Sequence, residues 1–220
     1  MNWIDLLPPL LVGAKVTAWI TLASTAGGGV LAFAAGLGAS SRFRGWRWLA
    51  GFYIQVFRGT SLLVQLFWLY FALPILIGLS LSPIVAGIVG LSLNIGAYGA
   101  EVVRGSLASV DSGQREAATA LNLSSRQTLW RVLMPQALVE MMPPFGNLVI
   151  QNLKDSALVS LISLADLAFQ AGQLRNRTLE TLPILVLTLL LYFAMALVLM
   201  VTMRLLERYA WRASGRGVTH

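Results

Sequence analysis

The fold of this chain is decided at the polar stretch QREAATALNL, residues 114–123, which is followed by VLMPQ at residues 132–136. Both stand between long apolar segments. The first stretch predicts a short helix, whose alanines and the carboxylate of Glu116 would form a small, flat, slightly acidic face. A serine at 124–125 opens a second short helix, and Pro135 ends the loop and begins the next apolar segment. We therefore expect a helix–turn–helix at a membrane surface, a shape that can dock a soluble partner.

The composition is typical of an integral membrane protein. Mean hydropathy is +0.73 and only 11% of the 220 residues are charged, against about a quarter in soluble domains. The sequence has no cysteine, which excludes disulfides and thiolate chemistry. The only histidine is His220, the last residue, so we expect no histidine-based metal or acid–base site. The net charge of +7 would suggest nucleic acid in a soluble protein, but here arginines on cytoplasmic loops explain it better.

Apolar runs of about 20 residues predict five membrane-spanning helices. We find no internal repeat, low-complexity linker or soluble domain. The sequence therefore predicts an all-α, polytopic membrane protein with a single domain over residues 1–220. The spans are expected at residues 10–39, 55–77, 84–103 and 182–203, with a fourth in chain order that begins after Pro135 and runs to about residue 153.

The distribution of basic residues predicts the orientation of the chain. If the loop at 40–48 is cytoplasmic, five spans place the N-terminus outside and the C-terminus in the cytoplasm. Twelve of the 16 basic residues then lie on the cytoplasmic side, as the positive-inside rule expects. The loop at 108–135 is then cytoplasmic as well. The twelve residues are Arg42, Arg44, Arg47, Arg58, Arg104, Arg115, Arg126, Arg131, Arg204, Arg208, Arg212 and Arg216, and the other four are Lys15, Lys154, Arg175 and Arg177.

Five motifs in order resemble the permease subunits of bacterial ABC importers, in the polar amino-acid uptake family. Each motif alone is a weak signal, but together they cover residues 13–208. The family pattern has glycine where this chain has Asn122, and asparagine tolerates left-handed backbone angles. The Ala-Leu-Asn variant, with residues 113–115 and 144–148, resembles the ectoine and hydroxyectoine branch. The motifs are RGTSLLVQ (58–65), GAYGAEVVRG (96–105), EAA (116–118), LMPQA (133–137) and LKDS (153–156).

The resemblance implies a permease subunit of an ATP-driven importer in the bacterial inner membrane. Its solute would be a polar amino acid or an amino-acid-like zwitterion, with ectoine or hydroxyectoine as a candidate. The sequence holds no phosphate-binding loop and no nucleophile–base set, so we expect no enzyme activity, and ATP hydrolysis in a separate subunit. No cofactor and no nucleic acid are expected. The implied partners are an ATP-binding subunit, a second permease of the same or another sequence, an extracytoplasmic solute-binding protein and the lipid bilayer.

The resemblance also assigns a coupling surface to the polar loop, where the ATP-binding subunit would dock. Glu116 has an alternative interpretation, because a carboxylate in the first turn of a helix is favoured by the helix dipole alone. The residues expected at this surface are Gly113, Glu116, Ala117, Ala118, Leu121, Asn122 and Pro135.

Polar residues within the spans are candidates for the solute pathway. Charges at membrane depth are costly unless they are paired, so Arg58 and Glu101 are predicted to form a structural ion pair near the cytoplasmic surface, with direct solute contact as the alternative. Asp155 is expected toward the outer side, with Gln151 one turn below it. For the pathway residues the alternative is hydrogen bonding between helices. The predicted pathway residues are Gln65, Asn94, Gln151 and Asp155.

Two other functions fit part of the pattern. A small membrane channel would share the apolar spans but would need no docking loop. A purely structural membrane subunit would look like the half of an importer that does not contact solute. Copurification of an ATP-binding subunit would separate the importer from the channel.

Overall fold

The computed structural model describes residues 3–213, with side chains described from residue 5 to 212. Arg216 and His220 lie outside the described residues. Within them the chain is helical and contains no strand, which confirms the predicted all-α membrane protein. The helices are α1 (Trp3–Ala39), α2 (Arg44–Gly59), α3 (Leu62–Ile77), α4 (Pro83–Ser109), α5 (Ser112–Ala120), α6 (Ser125–Ile162), α7 (Leu167–Thr178) and α8 (Thr181–Ala213).

Three helices are each long and apolar enough to cross a membrane, namely α1, α4 and α8. Further spans exist only as bent pairs, α2 with α3 at 106° and α6 with α7 at 51°. The predicted five spans are therefore reached if each bent pair counts as one. The span predicted at 55–77 is not a single helix, because the chain turns at Thr60, whose backbone is extended (φ −121°, ψ 155°).

Helices α1 and α4 run parallel and in close contact. Gly28 lies against Ile95 and Gly36 against Val103, so residue numbers rise together along both helices. A Cβ atom at Gly36 would stand only 2.7 Å from Val103. Membrane helices approach this closely where small residues face each other. The C-terminal ends of α1 and α4 consequently lie at the same end of the bundle.

Helix α5 and the start of α6 form a helix–turn–helix, residues 112–133, called the hairpin below. Asp111 opens α5 by accepting a hydrogen bond from a backbone N–H of the first turn at 2.6 Å. Asn122 makes the turn in the left-handed conformation, with φ 54°, which asparagine tolerates better than most residues. Ser124 then opens α6 with a complete capping box. Local capping residues therefore determine the shape of the hairpin.

Pro135 stands at the start of the regular α-helical stretch Met134–Asp155, where the next span was predicted to begin, but the helix itself does not begin there. Helix α6 is continuous across it and has a π-helical turn, Thr128–Leu133, just before it. Proline cannot donate a backbone hydrogen bond, so one carbonyl group of the preceding turn loses its helical donor. The Gln136 side chain donates to the neighbouring Val132 carbonyl at 2.9 Å. A wide turn of this kind accommodates a local interruption of the helical ladder. The hairpin is thus an extension of the same rigid helix that enters the bundle.

The segment between α6 and α8 closes the opposite end of the bundle. Asp166 is fully buried and caps α7 by accepting a hydrogen bond from Phe169 N–H at 2.9 Å. The hydroxyl of Thr17 in α1 accepts a bond from Leu167 N–H at 3.0 Å. The hydroxyl of Tyr192 in α8 donates to Asp166 at 3.4 Å. These bonds fix α7 to both α1 and α8.

Candidate functional site

The break between α2 and α3 opens a polar pocket of about 420 Å³. The Gln65 side chain donates to the carbonyl of Phe57 at 2.9 Å and to that of Thr60 at 3.2 Å. These bonds satisfy carbonyl groups that have lost their helical partners at the break. The residues lining the pocket are Thr60, Ser61, Leu62, Asn94, Ile95, Tyr98, Leu148, Gln151, Asn152 and Asp155.

Three of the four predicted pathway residues meet at this pocket. Asn94 comes from α4, and Gln151 and Asp155 come from successive turns of α6. Gln151 Nε2 donates to Asp155 Oδ1 at 2.9 Å. Gln65 is the exception, because it lies behind Asn94 and accepts a bond from Asn94 Nδ2 at 3.1 Å. Gln65 is only 8% exposed, and its bonds hold the break in shape rather than reach the pocket.

Asp155 lies nearer to the middle of the bundle than to its outer end. Gly146 stands beside Met203, the last residue of the apolar run in α8. At about 1.5 Å per residue, Asp155 is only about 13 Å further along α6. Its neighbour Leu153 shares a groove with Tyr192, in the middle of that run. The prediction placed Asp155 toward the outer side because it counted from a span that began near Ala137, whereas the first turns of α6 precede the apolar level.

A cluster of charged side chains lies next to the pocket. Arg58 Nη1 is 3.8 Å from Glu101 Oε1, and Arg104 Nη2 is 2.7 Å from Glu101 Oε2. Arg58 also stacks over the ring of Tyr98, 5.4 Å from its centroid, and Tyr98 lines the pocket. Arg58 and Glu101 are thus brought together, but Arg104 is the closer partner. Sequence reasoning missed Arg104, although it stands at the (i, i+3) spacing at which helical ion pairs form.

The hairpin presents most, but not all, of the predicted coupling residues to its surroundings. Gly113, Glu116, Ala117, Leu121, Asn122 and Pro135 are exposed, and Leu121 is 73% exposed. Ala118 is only 2% exposed, so it supports the hairpin from inside, and its part in the coupling surface stays a prediction. It packs inward because α5 rests on the start of α6 through this face. Arg115 holds the hairpin to α4 by donating to the Leu107 carbonyl at 2.8 Å.

Further residues at the pocket were not singled out from the sequence. Thr60, Ser61 and Tyr98 line it, and all three stand inside the motifs at 58–65 and 96–105, which was the available signal. Asn152 joins α6 to α1, because its Nδ2 donates to the Ser24 hydroxyl at 2.8 Å. Among residues 3–213, no three acidic, histidine or cysteine side chains are grouped as a metal site would require. The pocket therefore offers hydrogen bonds and one carboxylate.

A family model described as the inner membrane component of binding-protein-dependent transport systems matches residues 28–212. The probable amino-acid ABC transporter permease protein y4tF of Sinorhizobium fredii is 54% identical over 98% of this chain and 92% of its own length. The glutamine transport system permease protein GlnP of Escherichia coli is 38% identical over 92% of this chain and 93% of its own.

Solved structures of transporter chains also resemble this chain. A crystal structure of an amino acid ABC transporter with histidines superposes with a TM-score of 0.87 at 31% identity, covering 95% of this chain and 99% of that one. A chain of the MetNI methionine ABC transporter, in an inward-facing conformation, has a TM-score of 0.79 at 19% identity. The second likeness concerns the fold alone.

Proposed function

This chain belongs to the family of inner membrane components of binding-protein-dependent transport systems, and we propose that it carries a polar amino acid or an amino-acid-like zwitterion. It is a multi-pass permease subunit of an amino-acid ABC transporter in the inner membrane, and ATP is hydrolysed by a separate subunit. Ectoine and hydroxyectoine are zwitterions of this class and stay candidate solutes. The observation that carries the proposal is the pocket, where Asp155 stands among neutral hydrogen-bonding groups.

The pocket has complementary groups for both ends of a zwitterion. The carboxylate of Asp155 would bind an ammonium group, and its hydrogen bond from Gln151 holds it in place. The Ser61 hydroxyl can donate to a carboxylate on the solute. The Thr60 hydroxyl and the Asn94 amide line the pocket as well, but they already donate to carbonyl oxygens of the protein. A charge at membrane depth is costly and usually functional. A positively charged group of a solute in the pocket would therefore stabilise the Asp155 carboxylate.

We place the coupling to ATP hydrolysis at the hairpin. Glu116, Ala117 and Leu121 would contact the ATP-binding subunit, while Gly113, Asn122 and Pro135 shape the turn and the helix behind it. Because α6 continues from the hairpin to Gln151 and Asp155 without a break, a displacement of the hairpin moves the pocket wall directly. Transport then requires that the ATP-bound state of the partner bind one conformation of the permease better than the other.

The transport system that the family implies also includes an ATP-binding subunit and an extracytoplasmic solute-binding protein. We infer that two permease chains pair, identical or different in sequence, and that residues 1–220 act as one permease domain. With the N-terminus outside and the C-terminus in the cytoplasm, the loop at 108–135 faces the ATP-binding subunit. The arginine distribution supports this orientation.

Uptake of labelled solutes tests the proposal. A strain that lacks this importer would be complemented with the complete system, and uptake would be measured for glutamine, arginine, ectoine and hydroxyectoine. We expect saturable uptake of one of these zwitterionic or polar solutes, and loss of that uptake when ATP is depleted. Uptake of none of them, in cells that contain the assembled system, would refute the proposed solute class.

A further inference from the structure

The turn between α1 and α2 carries a compact set of basic and aromatic side chains, residues 42–48, called the basic–aromatic patch below. Arg42, Arg44 and Arg47 are all exposed. Among the aromatic residues between them, Trp46 is 61% exposed and Trp48 is 70% exposed. Large aromatic side chains are rarely left in water without a partner surface.

The positive charge of the basic–aromatic patch is not neutralised within the described chain. Between Asp5 and Glu101 the sequence contains no acidic residue. In residues 5–212, no side-chain hydrogen bond and no ion pair joins the guanidinium groups of Arg42, Arg44 or Arg47 to another residue. Three cations within six positions repel one another unless anions lie close by. The patch therefore fits a partner that carries several negative charges.

The patch continues into a strip of apolar side chains on α2. Trp48, Leu49, Phe52 and Val56 are exposed at helical spacing, and the rings of Trp48 and Phe52 stack at 5.8 Å. The opposite side of α2 is buried, as Ile54 shows with 2% exposure. A helix with exposed apolar residues along one side and arginine with tryptophan at its start matches the boundary between lipid headgroups and hydrocarbon.

The contacts of α1 with α4 indicate on which side of the membrane the basic–aromatic patch lies. Because Gly36 lies against Val103, the end of α1 is level with the end of α4, and the hairpin follows α4 at once. The basic–aromatic patch and the hairpin thus share one end of the bundle. With the hairpin facing the ATP-binding subunit, the patch faces the cytoplasmic leaflet.

We propose that the basic–aromatic patch binds anionic phospholipid headgroups of the cytoplasmic leaflet. The guanidinium groups of Arg42, Arg44 and Arg47 bind lipid phosphates, and Trp46 and Trp48 lie at headgroup depth. A contact with the ATP-binding subunit fits less well, because the aromatic side chains continue the exposed apolar strip of α2. This lipid site goes beyond solute transport and is independent of which solute the pocket takes.

Tryptophan quenching by brominated lipids tests the site. The full-length permease, with the subunits that copurify with it, is reconstituted in nanodiscs of phosphatidylcholine that contain brominated phosphatidylglycerol or brominated phosphatidylcholine at equal fraction. We expect brominated phosphatidylglycerol to be preferred by about five-fold or more, since one basic residue near an anionic surface contributes about that factor. The preference should vanish in Arg42→Gln/Arg44→Gln/Arg47→Gln.

Two further variants locate the signal. Trp46→Phe/Trp48→Phe should remove the part of the quenching that is specific for phosphatidylglycerol, because it removes the reporters. Arg175→Gln/Arg177→Gln, at the end of α7, should retain it. Equal quenching of the unsubstituted chain by both lipids would overturn the proposal, as would a preference that survives the arginine triple. Loss of the ATP-binding subunit from the triple, with lipid preference unchanged, would instead assign the patch to that subunit.

Discussion

We expect solute recognition at the pocket to depend most on Asp155. It supplies the only carboxylate among the pocket-lining residues, and Gln151 already donates to one of its oxygens. Asp155→Asn keeps an accepting oxygen but removes the charge. Hydrogen bonds to charged groups contribute about 1.5–3 kcal/mol, so we expect apparent affinity for the solute to fall by about 10- to 150-fold. The measurement is concentration-dependent uptake in proteoliposomes that contain the complete importer.

Asp5→Asn is the matched control, because it also neutralises an aspartate but lies at the start of α1, away from the pocket. It should leave affinity unchanged. If Asp155→Asn also keeps the original apparent affinity and rate, the carboxylate does not contact solute. Its bond with Gln151 would then serve only to hold two turns of α6 together.

Glu101 is the common partner of two arginines, and this predicts an asymmetry between single substitutions. Glu101→Ala leaves Arg58 and Arg104 side by side without a counter-ion, whereas Arg58→Ala leaves Glu101 bonded to Arg104 at 2.7 Å. We expect Glu101→Ala to cost about 1–3 kcal/mol, less than a fully buried pair because the side chains are partly exposed. Arg58→Ala should cost clearly less. Melting temperatures of the detergent-solubilised chain provide the comparison.

The same cluster predicts that a charge swap fails to rescue. In Arg58→Glu/Glu101→Arg, the new arginine would stand beside Arg104 and repel it. An isolated pair would be restored by the swap, so recovery of the original melting temperature would show that Arg104 is not part of the cluster. The sequence predicted the meeting of Arg58 with Glu101 from the need to pair charges at membrane depth. Glu101 lies closer to Arg104 because the two residues are three positions apart on one helix. This spacing was not considered for Arg104 in the prediction.

At the scale of elements, the hairpin is the part whose surface charge should control coupling. Glu116 is exposed on the side of α5 opposite Ala118, which is buried against α6. We expect Glu116→Lys to uncouple ATP hydrolysis from uptake by about ten-fold, the effect of about 1.4 kcal/mol lost at a docking contact. Membrane insertion and melting temperature should not change. The measurement is the ratio of solute transported to ATP hydrolysed.

Glu207→Lys provides the same charge reversal on α8, beyond the level of Met203 and away from the hairpin. It should leave the ratio unchanged. A normal ratio for both variants would show that Glu116 lies outside the docking contact and that its carboxylate serves only the first turn of α5.

The π-helical turn before Pro135 yields a second prediction for α6. In Pro135→Ala the residue regains its N–H, so the helix can close into an ordinary α-helix. Proline in a helix interior costs about 3 kcal/mol, and we expect part of this, about 1–2 kcal/mol, to be recovered as stability. An α-helical turn would also rotate the hairpin relative to the pocket wall and lower coupling. Higher melting temperature with an unchanged coupling ratio would contradict this link.

The short helices could be predicted from residues close together in the sequence, but the bends between helices could not. The hairpin was predictable because serine, asparagine and alanine act within a few residues of themselves. The break at Thr60 was not, because the polar residues 58–61 lie between two apolar stretches with no proline at the turn. The turn is stabilised by Gln65, five residues further on, and by Asn94 of α4, which both donate to the Phe57 carbonyl. Pro135 stands at the start of a regular α-helical stretch, but the sequence did not reveal the π-helical turn that joins this stretch to the hairpin.

At the scale of the whole molecule, one side of the bundle cannot face lipid. Arg58 and Glu101 are 39% and 26% exposed on their side chains, and the pocket beside them opens to the surface. Asp155 lies near the middle of the membrane-spanning region, where an unpaired charge in hydrocarbon is expensive. The composition predicted a polytopic protein, but which side is polar depends on contacts between distant helices. A second permease chain against this side would exclude lipid and enclose the pocket.

Cross-linking tests that pairing. Because the sequence contains no cysteine, an introduced cysteine has no competing thiol in this chain. Ser61→Cys places a single thiol at the pocket rim, and Leu190→Cys places one on α8, where Leu190 is 54% exposed. In membranes of cells that contain the complete importer, a short bis-maleimide should join two Ser61→Cys chains into a species of twice the chain mass if the permease pair is identical. If the pair is mixed, the corresponding cysteine in the second permease is required. Since the outward side of α8 would face lipid, Leu190→Cys should give no product. Cross-linking at Leu190 and not at Ser61 would place the interface on α8, and no second permease chain would then cover the charged side of the bundle.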